Sequence, residues 1–469
     1  MHYKEKTILV AGAGRSGISA ARFLLSRGAR VILTDSKTRE ALEPSISSLI
    51  DFSSHSGELL LELGGNRKES FAQCDLVVVS PGMPLALPVF EISRKAQIPI
   101  IAEIELACRH LQGKIIGITG SNGKTTTTTL VSELLTGAGL KAHAAGNIGT
   151  PLIDFVEDST PEDIHVVELS SFQLEAVHEF RPQISSILNL TPDHMDRYRS
   201  FDDYIAAKQR IFMNQKQTDF AVLNADDPRT AAMKNEMSAQ PVLFSRQNSV
   251  EHGTFVRNGR VIFRNEHGEQ DLLATSAIGL KGSHNLENVL AASAIAILAG
   301  APPESLEENV RKFRAVEHRI EYVAELHGVQ YFNDSKATNV DATIKAIEAF
   351  PGNILLIAGG RDKESDFTVL KSPVHKRVKH LIVIGEAAEK LKKALSGETD
   401  ISEAASMSEA VSLCGQIAKA GDVVLLAPAC ASFDMFQNYE HRGRAFKEAV
   451  HNLQQKQRGN WIHLSNLES

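Results

Sequence analysis

The stretch that decides the fold is Gly117-Ile118-Thr119-Gly120-Ser121-Asn122-Gly123-Lys124-Thr125. A short apolar run leads into it, and a threonine-rich segment with helical character follows. Its glycines would expose backbone amides to phosphate oxygens, Lys124 would neutralise β- and γ-phosphates, and the Thr125 hydroxyl would reach Mg²⁺. The pattern predicts a P-loop between a strand and a helix.

Apolar runs of strand length alternate with helical segments along the chain. Such alternation predicts an α/β fold with mainly parallel sheets. The predicted strands are residues 8–10, 31–33, 76–79, 115–118, 166–167, 354–357, 381–384 and 423–426.

A second glycine-rich turn, Gly12-Ala13-Gly14-Arg15-Ser16-Gly17, follows the first predicted strand, and Asp35 ends the next one. The spacing G-x-G-x-x-G before a helix is typical of dinucleotide-binding folds, in which the acidic residue binds a ribose hydroxyl. Any ligand with a nucleoside diphosphate could use the same helix N-terminus. The turn predicts a phosphate site and leaves a nicotinamide cofactor open.

The length of 469 residues predicts about three domains, at roughly 150 residues per domain. Each glycine-rich turn would open its own nucleotide-binding unit. We expect an N-terminal Rossmann-like domain at 1–112, a central P-loop ATPase-like domain with a parallel sheet at 113–315, and a C-terminal Rossmann-like domain at 316–469.

Composition excludes several classes of protein. The net charge is −7, so the chain lacks a basic field for nucleic acid. Its four cysteines have neither zinc-finger nor disulfide-framework spacing. The N-terminal apolar run is too short for a secretion signal, and no apolar stretch is long enough for a membrane span. We expect a cytoplasmic monomer that binds neither nucleic acid nor membrane.

Two further residues follow predicted strands, at the edge where α/β proteins gather ligands. Glu168 could supply a second Mg²⁺ ligand beside the P-loop, but an ordinary strand-end carboxylate explains it equally well. His194 lies in the loop Asn189-Leu190-Thr191-Pro192-Asp193-His194, where an incidental histidine is the alternative. The residues alone leave both interpretations open.

Lys208 interrupts the apolar face of a helix predicted over residues 201–212. A buried ammonium needs a partner or a change of charge, because desolvating it alone costs roughly several kcal/mol. The lysine could instead extend along the rim of the face into water. A third possibility is carbamylation by CO₂, which would create an anion able to bind Mg²⁺.

Together these motifs resemble the Mur ligase family of ATP-dependent, amide-forming enzymes of peptidoglycan synthesis, over nearly the whole chain. Beyond the P-loop, the resemblance is carried by Gly146-Asn147-Ile148-Gly149, Glu168-Leu169-Ser170-Ser171-Phe172-Gln173-Leu174, residues 189–198, Ala206-Ala207-Lys208, His284-Asn285-Leu286-Glu287-Asn288 and His318-Arg319-Ile320-Glu321. Residues 333–339 and 428–436 resemble the members that add D-glutamate.

The resemblance implies an ATP-dependent ligase that joins D-glutamate to UDP-N-acetylmuramoyl-L-alanine through an acyl phosphate and a tetrahedral intermediate, releasing ADP and phosphate. It implies ATP, Mg²⁺ as two ions, and CO₂ in the form of a lysine carbamate. The turn at residues 12–17 would then hold UDP rather than a nicotinamide.

The resemblance also assigns residues to each ligand. The UDP-substrate would be bound by Arg15, Ser16, Asp35, Ser36, Gly82 and Asn147. ATP would be bound by Gly120, Ser121, Asn122, Gly123, Lys124, Thr125, Thr126, Asn285, Asn288, Arg319, Asp334 and Lys336. D-Glutamate would be bound by Thr338, Lys363, Ser432 and Tyr439, the last at a position where the family pattern has phenylalanine. The catalytic residues would be Lys124, Glu168, His194 and Lys208, and the metal ligands Thr125, Glu168, His194 and carbamylated Lys208.

Three alternatives remain. Another Mur-type ligase, or a folylpolyglutamate-type ligase, would share the P-loop but is disfavoured by residues 333–339. An NAD-dependent oxidoreductase would explain residues 12–17 and Asp35 but would leave Lys124, Glu168 and Lys208 without a role. A noncatalytic P-loop switch protein would hydrolyse nucleotide without a muramoyl substrate.

Overall fold

The computed structural model describes residues 3–54, 56–280, 282–313 and 317–465, with side chains as far as residue 455. The predicted boundary between residues 315 and 316 lies outside the described residues. The strands are β1 (Thr7–Ala11), β2 (Arg30–Asp35), β3 (Glu58–Leu63), β4 (Leu76–Val79), β5 (Ile100–Ala102), β6 (Lys114–Thr119), β7 (Ala142–Gly146), β8 (Ile164–Glu168), β9 (Ile184–Ile187), β10 (Phe220–Asn224), β11 (Gln240–Ser245), β12 (Gly253–Arg257), β13 (Arg260–Asn265), β14 (Gly268–Ala274), β15 (Glu321–Leu326), β16 (Val329–Asn333), β17 (Ile354–Gly359), β18 (Val378–Ile384), β19 (Asp400–Glu403) and β20 (Val423–Leu426).

Helices connect most of these strands, which confirms the α/β class. They are α1 (Arg15–Ser26), α2 (Arg39–Leu42), α3 (Ser45–Ser53), α4 (Lys68–Gln73), α5 (Pro88–Lys95), α6 (Glu103–Cys108), α7 (Lys124–Gly137), α8 (Ser171–Leu174), α9 (Phe201–Gln209), α10 (Pro228–Ala232), α11 (Ser283–Ala299), α12 (Leu306–Lys312), α13 (Val340–Glu348), α14 (Lys371–Arg377), α15 (Ala388–Leu395), α16 (Met407–Ile417) and α17 (Tyr439–Ser465). In the described part of the chain, no helix combines the length and the apolar character needed to cross a membrane.

The first sheet has the order β3-β2-β1-β4-β5 and is parallel throughout. Its central strands β1 and β4 are almost wholly buried, as expected for a parallel sheet with helices on both faces. The chain order reverses between β1 and β4. The turn at residues 12–17 follows β1, so it lies at the switch point where such sheets bind ligands.

The second sheet has the order β14-β13-β12-β11-β10-β9-β6-β8-β7. It is parallel from β7 to β12, whereas β13 pairs in antiparallel fashion with both β12 and β14. The P-loop strand β6 lies between β8 and β9, at the centre of the parallel part. The carboxyl ends of these three strands therefore meet at one edge.

The third sheet has the order β15-β16-β20-β17-β18-β19 and is parallel except between β15 and β16. Contacts divide the chain into two compact units. The first unit, Met1–Leu190, Asp202–Ile278 and Glu287–Lys312, contains the first two sheets, and the second, Thr191–Phe201, Gly279–Leu286 and Phe313–Ser469, contains the third. The predicted boundary at residue 112 lies within the first unit and stays a prediction.

Helix α6 joins the first sheet to the second through a buried carboxylate. Glu105 is fully buried and accepts hydrogen bonds from the backbone amides of His178, Glu179 and Phe180 at 2.9–3.1 Å. The Arg109 guanidinium donates to the same carboxylate at 2.9 Å. A charge taken out of water needs such compensation, so this cluster holds α6 against the loop that follows α8.

A second buried carboxylate, Glu103, lies two residues earlier. Glu103 Oε1 accepts a hydrogen bond from Ile153 N at 2.8 Å, whereas Oε2 has no partner among the described residues. Burial raises the pKa of Glu103 to about 7, with the nearby Asp154 charge adding to the rise. The junction therefore contains one carboxyl that favours its protonated form.

Candidate active site

The predicted P-loop joins a strand to a helix, because β6 ends at Thr119 and α7 begins at Lys124. Gly123 adopts φ +83°, and a Cβ there would lie 2.3 Å from Oδ1 of Asn288, so a larger residue does not fit. The Lys124 ammonium folds back over the loop and donates to the carbonyls of Gly120 and Ser121, both at 2.8 Å.

Asn189, two residues after the end of β9, fixes the shape of the P-loop. Its Oδ1 accepts from Asn122 N at 2.8 Å, and its Nδ2 donates to the Asn122 carbonyl at 3.0 Å. Its own carbonyl accepts from Ser121 N at 3.0 Å. Asn189 lies in the segment 189–198 that carries the family resemblance, but no role was predicted for it.

Glu168 lies at the carboxyl end of β8 and is 1% exposed. Its Oε2 accepts a hydrogen bond from the Thr125 hydroxyl at 2.7 Å, and its Oε1 accepts from Asn147 Nδ2 at 2.8 Å. The Thr125 hydroxyl at the start of α7 and the buried Glu168 carboxylate at the end of β8 are hard oxygen donors, which suit Mg²⁺. The structure thus brings Thr125 and Glu168 together, and it brings Asn147, expected at the UDP-substrate, to the same carboxylate.

Lys208 is 1% exposed on α9, so it does not extend into water. Its Nζ donates to the Gly120 carbonyl at 2.9 Å and to Thr119 Oγ1 at 3.2 Å. The same atom lies 4.6 Å from the centre of the Tyr204 ring, whose hydroxyl is 3.1 Å from Ser121 Oγ. These contacts place the lysine beneath the P-loop and against an aromatic face.

The turn at residues 12–17 is tightly built. A Cβ on Gly17 would lie 1.8 Å from the Gly12 carbonyl oxygen, so this close approach requires glycine. Asp35 binds the turn itself, because its Oδ2 accepts from Ala13 N at 2.7 Å and its Oδ1 from Lys37 N at 2.9 Å. Four more predicted UDP-binding residues follow β1, β2 or β4 with exposed or half-buried positions: Arg15, Ser16, Ser36 and Gly82.

The second unit collects most of the remaining predicted residues. Asp334, Lys336 and Thr338 follow β16, Lys363 follows β17, and Ser432 follows β20. These strands are neighbours with parallel directions, so their carboxyl ends form one edge. His194, Asn285, Arg319 and Tyr439 also belong to the second unit, whereas Thr126 and Asn288 belong to the first.

Asp334 is completely buried at this edge, and its Oδ1 has no partner among the described residues. Burial raises its pKa to about 6, although the charges of Arg319 and Lys336 oppose that rise. Burial also lowers the pKa of His284 to about 3, and the Arg319 charge reinforces this shift. An unpaired buried oxygen is costly, so Asp334 is suited to receive a ligand hydroxyl.

Arg442 joins the loop that follows β16 to the loop that follows β20. It was not among the predicted site residues. It is 1% exposed, and its guanidinium donates to Ser335 Oγ at 3.0 Å, to the Ser335 carbonyl at 2.8 Å and to the carbonyls of Cys430 and Ala431 at 3.1 and 3.3 Å. Burial lowers its pKa to about 10, so the group stays charged at neutral pH. Its partners flank the predicted ligands Lys336 and Ser432.

Tyr439 contacts a predicted ATP ligand. The Lys336 ammonium donates to its hydroxyl at 3.3 Å and lies 5.1 Å from the centre of its ring. The hydroxyl and the ring of Tyr439 both lie beside the Lys336 ammonium.

Glu317, His318 and Glu321 bring potential metal-ligand atoms within 4.8 Å of one another. Lys447 already neutralises this cluster, with its Nζ 2.5 Å from Glu317 and 3.0 Å from Glu321. We therefore interpret it as an ion-pair network rather than as a metal centre.

Three domain models of known proteins match this chain. The Mur ligase middle domain matches residues 118–296, the domain described as "Mur ligase, glutamate ligase domain" matches residues 318–430, and the one described as "Mur ligase MurD-like, N-terminal domain" matches residues 6–102. These matches confirm the predicted three-domain α/β architecture.

Two relatives cover nearly the full length. A protein of Koribacter versatilis named UDP-N-acetylmuramoylalanine–D-glutamate ligase is 47% identical over 98% of this chain and 100% of its own. A protein of the same name from Acidobacterium capsulatum is 49% identical over 96% of this chain and 97% of its own. Among solved structures, the pseudomurein peptide ligase type C of Methanothermus fervidus has a TM-score of 0.60 at 19% identity and covers 96% of this chain and 100% of its own, which supports the fold alone. With three family domains matched in order and relatives of this identity, the chain belongs to the Mur ligase family.

Proposed function

We propose that this protein is an ATP-dependent ligase that joins D-glutamate to UDP-N-acetylmuramoyl-L-alanine in peptidoglycan precursor synthesis. The relatives of 47% and 49% identity that carry this name support the proposal. The observation that carries the chemistry is the buried Glu168 carboxylate, held by the Thr125 hydroxyl beside a P-loop. An oxidoreductase has no use for that arrangement, and a simple switch has no use for a second glycine-rich phosphate turn.

The reaction follows from the weakness of a carboxylate as an acyl donor. Transfer of the ATP γ-phosphoryl to the L-alanyl carboxylate gives an acyl phosphate, and the deprotonated amine of D-glutamate then attacks the acyl carbon. The tetrahedral intermediate collapses with loss of phosphate and leaves the amide. Positioned cations and backbone amides lower the barrier most where negative charge gathers, on the phosphoryl oxygens.

Residues of the first unit fit ATP and Mg²⁺. The P-loop amides and Lys124 would bind the β- and γ-phosphates, and Thr125 and Glu168 would hold the metal ion. When bound, Mg²⁺ offsets charge on the transferred phosphoryl group. A second Mg²⁺ ion would be bound with His194 as a further ligand.

Lys208 is proposed as the carbamylated residue. Lys208 is buried, and its Nζ donates to the Gly120 carbonyl and to Thr119 Oγ1, so its amine lies directly beside the loop that would bind the phosphates. A carbamate keeps one N–H, and that N–H could still donate to the Gly120 carbonyl. The new anion would then add an oxygen ligand beside the P-loop.

The remaining ligand assignments are proposals on the same basis. UDP would lie against Arg15, Ser16, Asp35, Ser36 and Gly82, with Asn147 serving the same substrate. In the second unit, Asn285, Arg319, Asp334 and Lys336 would contact ATP, and Thr338, Lys363, Ser432 and Tyr439 would bind D-glutamate. A cytoplasmic, monomeric enzyme fits these small-molecule substrates.

Phosphate release from Mg·ATP and UDP-N-acetylmuramoyl-L-alanine tests the function. We expect release with D-glutamate, an amide product by mass spectrometry, and little release with L-glutamate, L-lysine or no amine. Lys124→Ala is the matched blank, since it removes the phosphate-binding cation. Turnover without the muramoyl substrate would contradict the ligase and favour the switch.

A separate assay tests the carbamate. Lys208→Ala should lose activity, and added short carboxylates should restore part of it by occupying the vacated space. Full activity in the unsupplemented variant would rule the carbamate out.

A further inference from the structure

Asp193 precedes the proposed metal ligand His194, and its surroundings give it a role of its own. The segment Thr191–Phe201 follows β9 in sequence, yet its contacts assign it to the second unit. The Asp193 side chain is 9% exposed, and the groups around its carboxylate include His194, Asn339 and Lys363.

The Asp193 carboxylate contacts residues of two proposed ligand sites at once. Its Oδ1 accepts from His194 N at 2.9 Å and lies 3.4 Å from Lys363 Nζ. Its Oδ2 accepts from Asn339 Nδ2 at 3.1 Å and lies 3.6 Å from His194 Nε2. One buried anion therefore contacts both a proposed metal ligand and a proposed D-glutamate ligand.

The backbone of His194 needs this support. Its φ of +58° is left-handed, a conformation that residues with a Cβ adopt only when surrounding contacts hold them in it. The bond from His194 N to Asp193 supplies one such contact, and the His194 carbonyl accepts from Arg197 N and Tyr198 N at 2.9 and 3.1 Å. The direction of the imidazole thus depends on this turn.

Asn339 fixes the other side of the carboxylate. It caps α13 by accepting from Ala342 N at 2.8 Å through Oδ1, so its Nδ2 is directed at Asp193. Thr191 donates to Asp341 on the first turn of the same helix, at 3.3 Å. The segment is therefore attached to α13 at two points, and the Asp193 carboxylate also lies 3.4 Å from Lys363 Nζ.

We propose that Asp193 is a positioning residue that couples the orientation of His194 to that of Lys363. This inference rests on the proposed function, in which His194 binds metal and Lys363 binds a carboxylate of D-glutamate. A carboxylate beside the imidazole resembles the outer contacts that orient metal-bound histidines. The same charge holds the flexible Lys363 ammonium in place before the substrate arrives, which reduces the ordering cost of binding.

The test is Asp193→Asn in the full-length protein, which keeps the shape of the side chain and removes its charge. We expect the KM for D-glutamate to rise about tenfold and the KM for ATP to change less than about twofold. Binding of Mn²⁺ with a non-hydrolysable ATP analogue, followed by electron paramagnetic resonance without turnover, should weaken about tenfold. Asp341→Asn is the matched control, because Asp341 accepts a hydrogen bond from Thr191 of the same segment, and it should leave the D-glutamate KM and Mn²⁺ binding near wild type.

A double-mutant cycle separates coupling from a general structural effect. Asp193→Asn and Lys363→Met should be strongly non-additive in the D-glutamate KM, whereas Asp193→Asn and Lys345→Met should combine additively. Additivity with Lys363→Met, or a uniform rise of all KM values, would overturn the proposal. Should Asp193→Asn fold poorly, Asp193→Glu takes its place. We expect this variant to raise the KM for D-glutamate as well, and an unchanged KM would overturn the proposal.

Failure of the wild type to release phosphate with D-glutamate would refute the proposed function instead. A wild type that does so, beside an Asp193→Asn variant with unchanged KM and Mn²⁺ binding, would refute the coupling alone.

Discussion

Replacing Glu105 by glutamine should destabilise the first unit far more than its single-atom change suggests. Each oxygen of this buried carboxylate faces at least two N–H donors, supplied by three backbone amides and Arg109. A glutamine turns one oxygen into an NH₂ group, so in either orientation two or more donors meet another donor. At about 1–3 kcal/mol for each donor left unsatisfied, the loss is about 3–5 kcal/mol, similar to breaking a buried ion pair.

The assay is thermal unfolding with a local probe. At about 2–4 °C per kcal/mol, Glu105→Gln should lower the first unfolding transition by roughly 6–20 °C. Hydrogen exchange of the amides at His178 to Phe180 should accelerate before the rest of the unit opens. Glu179→Gln is the control, because its 73%-exposed side chain contacts the same Arg109 and should shift the transition by less than about 2 °C. A Glu105→Gln shift as small as that of the control would refute the reasoning.

Three further predictions follow from buried or strained groups. Burial raises the native pKa of Glu103 to about 7, so protonation of this carboxyl stabilises the fold fully below pH ~4.5, and that stabilisation is lost as pH rises through 7. Glu103→Gln mimics the protonated form. At pH 8 it should therefore raise the free energy of unfolding by roughly 3 kcal/mol, seen as a higher Tm, and at pH 4.5 it should have little effect. Gly123→Ala should weaken binding of an ATP analogue, measured by calorimetry, at least about tenfold, because its Cβ would meet Asn288. Gly139 has a similar φ of +81° but open space around it, so Gly139→Ala should leave binding intact. Arg442→Lys should raise the KM for D-glutamate more than that for ATP, because a single ammonium cannot replace the planar fork that joins two loops; equal effects on both would contradict that role.

Much of the fold could be predicted because its signals are local. All eight predicted strands are present, since buried parallel strands are short apolar runs between glycines and helices. Other strands were not predicted, among them β12, β13 and β14. Their half-exposed faces carry charged residues such as Arg257, Arg264 and Glu269, so the apolar run that marks a buried strand is missing.

In the candidate site, too, the features with a local sequence signal were predicted, and the long-range contacts were not. The P-loop could be predicted from the sequence because a tight turn requires glycine and a bound phosphate requires a cation at a fixed spacing from it. Both features occur within nine consecutive residues. Lys208 was recognised from helical periodicity, but only the structure shows that it lies beneath Gly120. The turn at residues 12–17 remained ambiguous in chemistry, because its backbone geometry serves any diphosphate.

The residues that sequence reasoning missed act on backbone groups far away in the chain. Asn189 binds the P-loop backbone, Glu105 binds amides of a distant loop, and Arg442 binds three carbonyls in two loops. A backbone N–H or C=O is the same at every residue, so no complementary side chain elsewhere in the sequence marks such a contact. Only the fold determines which loop a buried polar group will meet, and the cost of leaving that group unpaired then fixes the loop in place. Asp193 differs because its partners include a lysine and a histidine, and a side-chain pair of this kind can be tested by a double-mutant cycle, whereas the backbone contacts of Glu105 can be tested only from one side.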